Sequence, residues 1–263
     1  MTSPTVTLYE HPLSSYAQKV KIMLREKGVA FDPVVPDSFG TARRDDVFSQ
    51  VSPRHEVPVL VVNGVSVFDS SIICEYLEDR WPEPALLPHD PAGRARARMI
   101  EDVCDTQYEA INWGWGEILW FCRATGSLAD QMRRTAERQT QQVQMWLADH
   151  LGDSPWFAGE AFGWADAAVA PMLNRSVHYG IPLATAALEA WHARVSRRPS
   201  VAATFAEFAV GAARMAEASD HYTTGGRRRE YRDHRLDWMI RSGGLSIVAD
   251  GLAADTIRFS WPD

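Results

Sequence analysis

The chain has 263 residues, is 46% hydrophobic and carries a formal charge of −7, enough apolar content for one or two domains and no sign of the basic surface that nucleic acid requires. Its three cysteines, Cys74, Cys104 and Cys122, are far apart and form no C-x-x-C pair, which argues against a disulfide framework or zinc site and fits reduced, cytoplasmic thiols. The opening "MTSPTVTLYEHP" lacks a basic segment followed by an apolar stretch, so no signal peptide is expected, and no apolar run approaches the roughly 20 residues needed to cross a bilayer.

In chain order, "TVTLY" (5–9) predicts a strand, and residues 14–27 predict an amphipathic helix ended by Gly28. "AFDPVVP" predicts a second strand, followed by a helical stretch near 43–51. "VPVLVV" (57–62) and "VSVFD", separated by Asn63-Gly64, predict a hairpin, and residues 70–81 predict a helix. These elements call for one mixed sheet covered by helices. "WPEPALLPHDP" (81–91) holds four prolines in eleven residues and marks a boundary. Beyond it the expectation is helix only, over 91–123, 126–151, 164–179, 184–196 and 199–219. The tail from 220 has enough apolar residues to dock on the body, and its "RRRE" run (227–230) reads as a solvated loop.

Ser14 has two readings. A serine at a helix start is a preferred N-cap whose oxygen accepts an amide hydrogen. The same helix end offers unpaired N–H groups and partial positive charge, which suit an anion such as a thiolate. Ser15 is a neighbouring hydroxyl with the same potential.

Four motifs carry a resemblance: Ser14-Ser15-Tyr16-x-x-Lys19-Val20, Glu56-Val57-Pro58, Asp69-Ser70-Ser71-Ile72-Ile73, and "FAGEAFGWADAAVAPML" (157–173). In this order and spacing they resemble the soluble glutathione transferases, with a serine-type active site. A weaker similarity is to the bacterial omega-like members that cleave lignin-type aryl ethers. The resemblance implies an α/β plus all-α fold. A thioredoxin-like domain (1–82, βαβ-α-ββα, a mixed four-stranded sheet) leads through a linker (83–90) to an all-helical domain (91–219) and an extension (220–263).

It further implies that Ser14 stabilises the thiolate of the co-substrate glutathione, with Ser15, Val57, Pro58, Asp69 and Ser70 binding the tripeptide. The expected reaction is attack on a small apolar or aromatic electrophile, by conjugation, ether or thioether cleavage, or isomerisation, in detoxification or aromatic catabolism. The alternative is a ligand-binding or docking protein on the same fold. A homodimer is expected; no metal, nucleic acid or membrane is. A cis bend at Val57-Pro58 would offer backbone groups to the cysteinyl unit, and Asp69 and Ser70 would meet the γ-glutamyl end. Tyr16, Tyr108, Asn112 and Trp115 are the expected second-substrate pocket, the last three by i, i+4, i+7 spacing, while Trp113 and Trp120 are expected to pack. Serine in place of cysteine at position 14 removes thiol reductase chemistry. Two positions depart from the family pattern. Gly163 stands where Ser or Thr usually caps a helix, and Glu56 stands where Lys or Gln usually meets the glycine carboxylate.

Overall fold

The computed structural model describes residues 4–37, 47–217, 236, 239 and 243–254. Its N-terminal unit runs β1 (Val6–Tyr9), α1 (Ser15–Glu26), β2 (Asp32–Val34), α2 (Val47–Val51), β3 (Val59–Val62), β4 (Val65–Phe68) and α3 (Ser70–Arg80). The sheet order is β2-β1-β3-β4, with β1 and β2 parallel and the other pairs antiparallel. The expected mixed four-stranded sheet is therefore present.

Helix α1 shows why this segment folds as it does. Ser14 is extended and its Oγ accepts the Ala17 amide at 3.2 Å, capping the first turn. At the other end Gly28 takes a left-handed φ of 65°. The Gly28 and Val29 amides then reach the Arg25 and Leu24 carbonyls, a Schellman closure that a Cβ would disfavour.

The C-terminal unit is all helical. The single helix expected over 91–123 is instead α4 (Pro91–Val103), a π-helical turn (Cys104–Tyr108) and α5 (Glu109–Leu119). The wider turn rotates the following residues about the axis, so Glu101 and Asp105 face α1 while Tyr108 and Asn112 face the helical interior. Then come α6 (Gly126–Leu151), α7 (Trp164–His178), α8 (Ala186–Val195), α9 (Pro199–Ala213), a 3-10 turn (Arg214–Glu217) and α10 (Leu245–Ala253). The expectation that the tail docks finds no support in α10. None of its residues is buried, and Leu245, Ile247 and Leu252 are exposed. The run at 227–230 lies outside the described residues, as do 43–46 of the helical stretch near 43–51.

One apolar core joins the two units. Leu8 and Leu60 of the sheet, Val20 and Met23 of α1, Ile73 and Leu77 of α3, Leu86 and Leu87 of the connecting segment, and Ile100, Trp164 and Leu173 of the helices belong to it. The proline-rich segment is thus docked rather than free.

Gly163 now has a physical reason. A Cβ there would lie 2.7 Å from the Leu86 carbonyl oxygen, which accepts the Trp164 amide at 2.8 Å. The N-cap serine is excluded by this close backbone approach. Asp166 takes over the capping. It is fully buried and accepts from the Gly163 amide (2.9 Å), the Phe157 amide (3.2 Å) and Trp191 Nε1 (2.8 Å). Burial lifts its pKa to about 6 against the opposing pull of these donors. Gly163→Ala is expected to lower stability by about 1–3 kcal/mol through overpacking. The urea midpoint should fall with an unchanged m-value, and an unchanged midpoint would show that Leu86 yields.

Candidate active site

Strand register brings the first three motifs together. Tyr9 pairs with Val59, and Val59 with Phe68. The end of β1, the start of β3 and the end of β4 therefore share one edge row of the sheet. The chain leaves β1 toward Ser14, enters β3 through Val57-Pro58 and leaves β4 into Asp69-Ser70. With strands spaced about 4.8 Å apart, these groups converge on one end of the sheet.

Ser14 is half-buried at the tip of α1. Its cap bond uses an oxygen lone pair, and a hydroxyl still has its hydrogen to donate. The capping role and a thiol-directed role are therefore compatible. The turn that presents Ser14 is tied down three times. Its amide donates to the His11 carbonyl at 2.9 Å, Gln18 Nε2 donates to the Pro12 carbonyl at 3.0 Å, and Arg175 Nη2 donates to the Leu13 carbonyl at 2.7 Å. Ser15 is fully buried and accepts from Arg175 Nη1 at 3.4 Å, so its side chain faces the helical unit rather than the sheet end. Tyr16 donates to the Asp105 carbonyl at 2.6 Å.

Val57-Pro58 is cis. Asp69 has φ 75° and caps α3, its Oδ1 accepting the Ser71 amide at 3.1 Å and the Ile72 amide at 3.4 Å. A non-glycine residue held at positive φ is sparsely populated, and such residues cluster at ligand sites. Ser70 is buried beside it. Glu56 is paired with Arg54 Nη2 at 2.8 Å, and Arg54 Nη1 lies 3.7 Å from Asp69 Oδ2. Arg54 is exposed and offsets both carboxylates. His55 turns away, with φ 58°, its ring 4.9 Å from Phe48 and its Nε2 3.1 Å from Ser49 Oγ.

Three of the expected pocket residues are placed differently. Tyr108 and Asn112 are fully buried. The Tyr108 hydroxyl bonds Ser176 Oγ and Gln144 Nε2, each at 2.9 Å, and burial pushes its pKa up. Asn112 Nδ2 donates to the Met172 carbonyl at 3.1 Å and its Oδ1 accepts from Ser176 at 2.9 Å. Trp115 is buried and stacked 6.4 Å from Tyr179. Tyr108 and Asn112 are core because Gln144 of α6 and Met172 and Ser176 of α7 satisfy their polar atoms, while Trp115 packs on Tyr179 with its Nε1 buried and unpartnered among the described residues. Beside the Ser14 turn sits a different aromatic group. Trp120, expected only to pack, joins Leu13, Phe208, Ala212 and Met215 in a separate apolar cluster. Tyr179 meets Trp120 at 5.0 Å, and His178 contacts both Trp120 and Phe208.

Beneath the site lies a buried ionic cluster. Lys19 Nζ is 2.5 Å from both Glu101 Oε1 and Asp105 Oδ2, and 3.4 Å from Ser71 Oγ. Glu101 also accepts from Ser71 Oγ at 2.8 Å and Trp164 Nε1 at 2.6 Å. Burial opposes the Lys19 charge, but Asp105 and Glu101 outweigh it and raise its pKa. Burial holds Asp105 up at about 6, with Lys19 pulling against it. Lys19 was legible only as part of a motif. Arg175 was not singled out, although an arginine within the apolar helix "WADAAVAPMLNRSVH" is a signal of its own. Among the described residues no group of three or more metal-ligating side chains occurs, and no helix is long and apolar enough to cross a membrane.

This arrangement is a thioredoxin-like sheet unit, with Ser14, Val57-Pro58 and Asp69-Ser70 gathered at one sheet end, packed onto a helical unit. The chain belongs to the glutathione S-transferase family. Residues 8–85 match the family's N-terminal domain model and residues 137–203 its C-terminal domain model. It is 30% identical to glutathione S-transferase U28 of Arabidopsis thaliana, over 74% of this chain and 85% of that one. It is 30% identical to the maleylacetoacetate isomerase of Pseudomonas aeruginosa, over 76% and 92%. Among solved structures, a glutathione S-transferase from Methylobacterium radiotolerans in complex with glutathione sulfonate superposes with a TM-score of 0.64 at 27% identity, covering 76% of this chain and 94% of that chain.

Lys19→Met strands Glu101 and Asp105 and is expected to cost about 3–5 kcal/mol at neutral pH. A carboxyl whose folded pKa exceeds its unfolded one contributes stability below the unfolded value and loses it as pH rises through the folded value. Removing Lys19 raises Asp105 further, so the gap between wild type and variant should widen from pH 5 to pH 8. Urea melts at the two pH values check this, and equal gaps would remove Asp105 from the account.

Proposed function

We propose that the protein is a glutathione-dependent transferase in which Ser14 stabilises the thiolate of bound glutathione. The observation that carries this reading is the register row Tyr9–Val59–Phe68, which sets Ser14, Val57-Pro58 and Asp69-Ser70 around one sheet end. The tripeptide lies across that end as an added extended segment. Its γ-glutamyl carboxylate meets the α3 N-terminus at Ser70, and its amino group meets Asp69. The cysteinyl unit pairs with the Val57 backbone, and Arg54 takes the glycine carboxylate, so that Glu56 does not repel it.

The sulfur then faces the N-terminus of α1. Free glutathione is mostly a thiol at neutral pH, since thiols ionise near about 8.5. The helix-end field and a hydrogen bond from Ser14 both favour the anion. The thiolate attacks an apolar or aromatic electrophile held against Leu13, Trp120 and Phe208. Conjugation, ether or thioether cleavage and isomerisation can all start from this thiolate step, and the second substrate is sought among activated aromatics and unsaturated acids. The cytoplasm, where thiols stay reduced, suits this chemistry, and a two-fold homodimer is the assembly proposed.

Ser14→Ala should raise the pKa of bound glutathione by about 1–2 units and cut turnover by about 10²-fold, while glutathione affinity changes less than about threefold. Thiolate absorbance on titration and steady-state kinetics report the three quantities. Wild-type turnover in the variant would sink the assignment.

A further inference from the structure

We infer that Arg175 is a positioning residue for Ser14, its guanidinium bracing from the helical unit the turn that aims the Ser14 hydroxyl. This rests on the reading of Ser14 given above. Arg175 sits near the end of α7 and is almost fully buried. Its Nη1 is 2.8 Å from Glu109 Oε1 and 3.4 Å from Ser15 Oγ, and its Nη2 is 2.7 Å from the Leu13 carbonyl oxygen. The donors thus fall on the residue before Ser14 and the residue after it. Burial opposes the charge, but Glu109 outweighs it and keeps the guanidinium protonated.

A plain core ion pair would not need this geometry. Glu109 alone compensates the charge, yet the second arm of the fork goes to a backbone carbonyl 162 residues away in sequence. The carbonyl belongs to a buried residue, Leu13, and a buried carbonyl without a donor is costly. Glu109 in turn follows the π-helical turn, whose extra residue sets the start of α5. Trp120 lies under the guanidinium, 5.5 Å from it, and closes the side facing the aromatic cluster. A lysine would keep the charge but lose the planar fork, so it cannot serve Glu109, Leu13 and Ser15 together. The turn would then loosen at Leu13, and the Ser14 oxygen would share its time between the Ala17 amide and other directions.

Two variants of the full chain test this. Arg175→Lys keeps the charge. Arg175→Met with Glu109→Gln removes the pair without stranding a carboxylate. In both, hydrogen exchange of the Ser14 and Ala17 amides, held by the His11 carbonyl and Ser14 Oγ, should quicken about tenfold while Val20–Leu24 stays as in wild type. The pKa of bound glutathione should rise by about one unit, with its affinity within about threefold. Wild-type exchange at the Ser14 and Ala17 amides together with a wild-type thiol pKa in Arg175→Lys would overturn the inference. So would uniform quickening throughout α1, which marks a merely structural residue. If Ser14→Ala leaves the thiol pKa untouched, Ser14 activation fails; local quickening in Arg175→Lys then still supports the brace. Should the double variant not fold, Arg175→Lys decides alone.

Discussion

One buried cation holds the two halves of this protein in register. Lys19 projects from the second turn of α1 into a space walled by Glu101 and Asp105, with Ser71 of α3 completing the shell. Desolvating an ammonium costs several kcal/mol, and only close carboxylates with satisfied lone pairs offset it. The arrangement is therefore intolerant of displacement. Moving α4 relative to α1 would strand charge, and moving α3 would remove the Ser71 bond to Glu101. Since α1 carries Ser14 and α3 carries Asp69-Ser70, this cluster fixes both arms of the sheet-end site against the helical unit.

The other cations of α1 repeat the device toward its C-terminus. Lys21 pairs with Glu10 and Glu207, Arg25 with Glu207 and Thr204, and Lys27 with Glu78 while also reaching the Trp81 and Pro84 carbonyls. Helix α1 is thus apolar toward the sheet and ionic toward its neighbours. These pairs fix the body and C-terminal end of α1 against its neighbours. A rigid donor aimed at a developing or resident anion stabilises it without reorganisation. Under the proposed role, the hydroxyl of Ser14 is such a donor, since its cap bond engages the oxygen and leaves the hydrogen to donate.

Much of this was legible in the sequence, for physical reasons. The Asn-Gly turn, the helix start at Ser14 and the glycine that ends α1 are local signals, and the sheet followed from them. The site motifs were legible through their resemblance to the glutathione transferases, whereas the register that brings them to one sheet end comes from the structure. The interior placement of Tyr108 and Asn112 was not legible. Spacing finds a shared face, but not what covers it, and the π-helical turn before α5 leaves no glycine or proline as a marker. Lys19 and Lys21 were hidden for the opposite reason: lysines are ordinarily exposed, and burial depends on carboxylates far away in the chain. Gly163 read as a weakened cap until the Leu86 carbonyl stood where its side chain would be.

The most direct test of the account is a crystal structure of the protein with glutathione bound. The account predicts the sulfur within about 3.5 Å of Ser14 Oγ, at hydrogen-bonding distance, with the cysteinyl backbone paired to Val57 and the γ-glutamyl end at Asp69-Ser70. A tripeptide bound elsewhere, or one whose sulfur turns away from the start of α1, would contradict it.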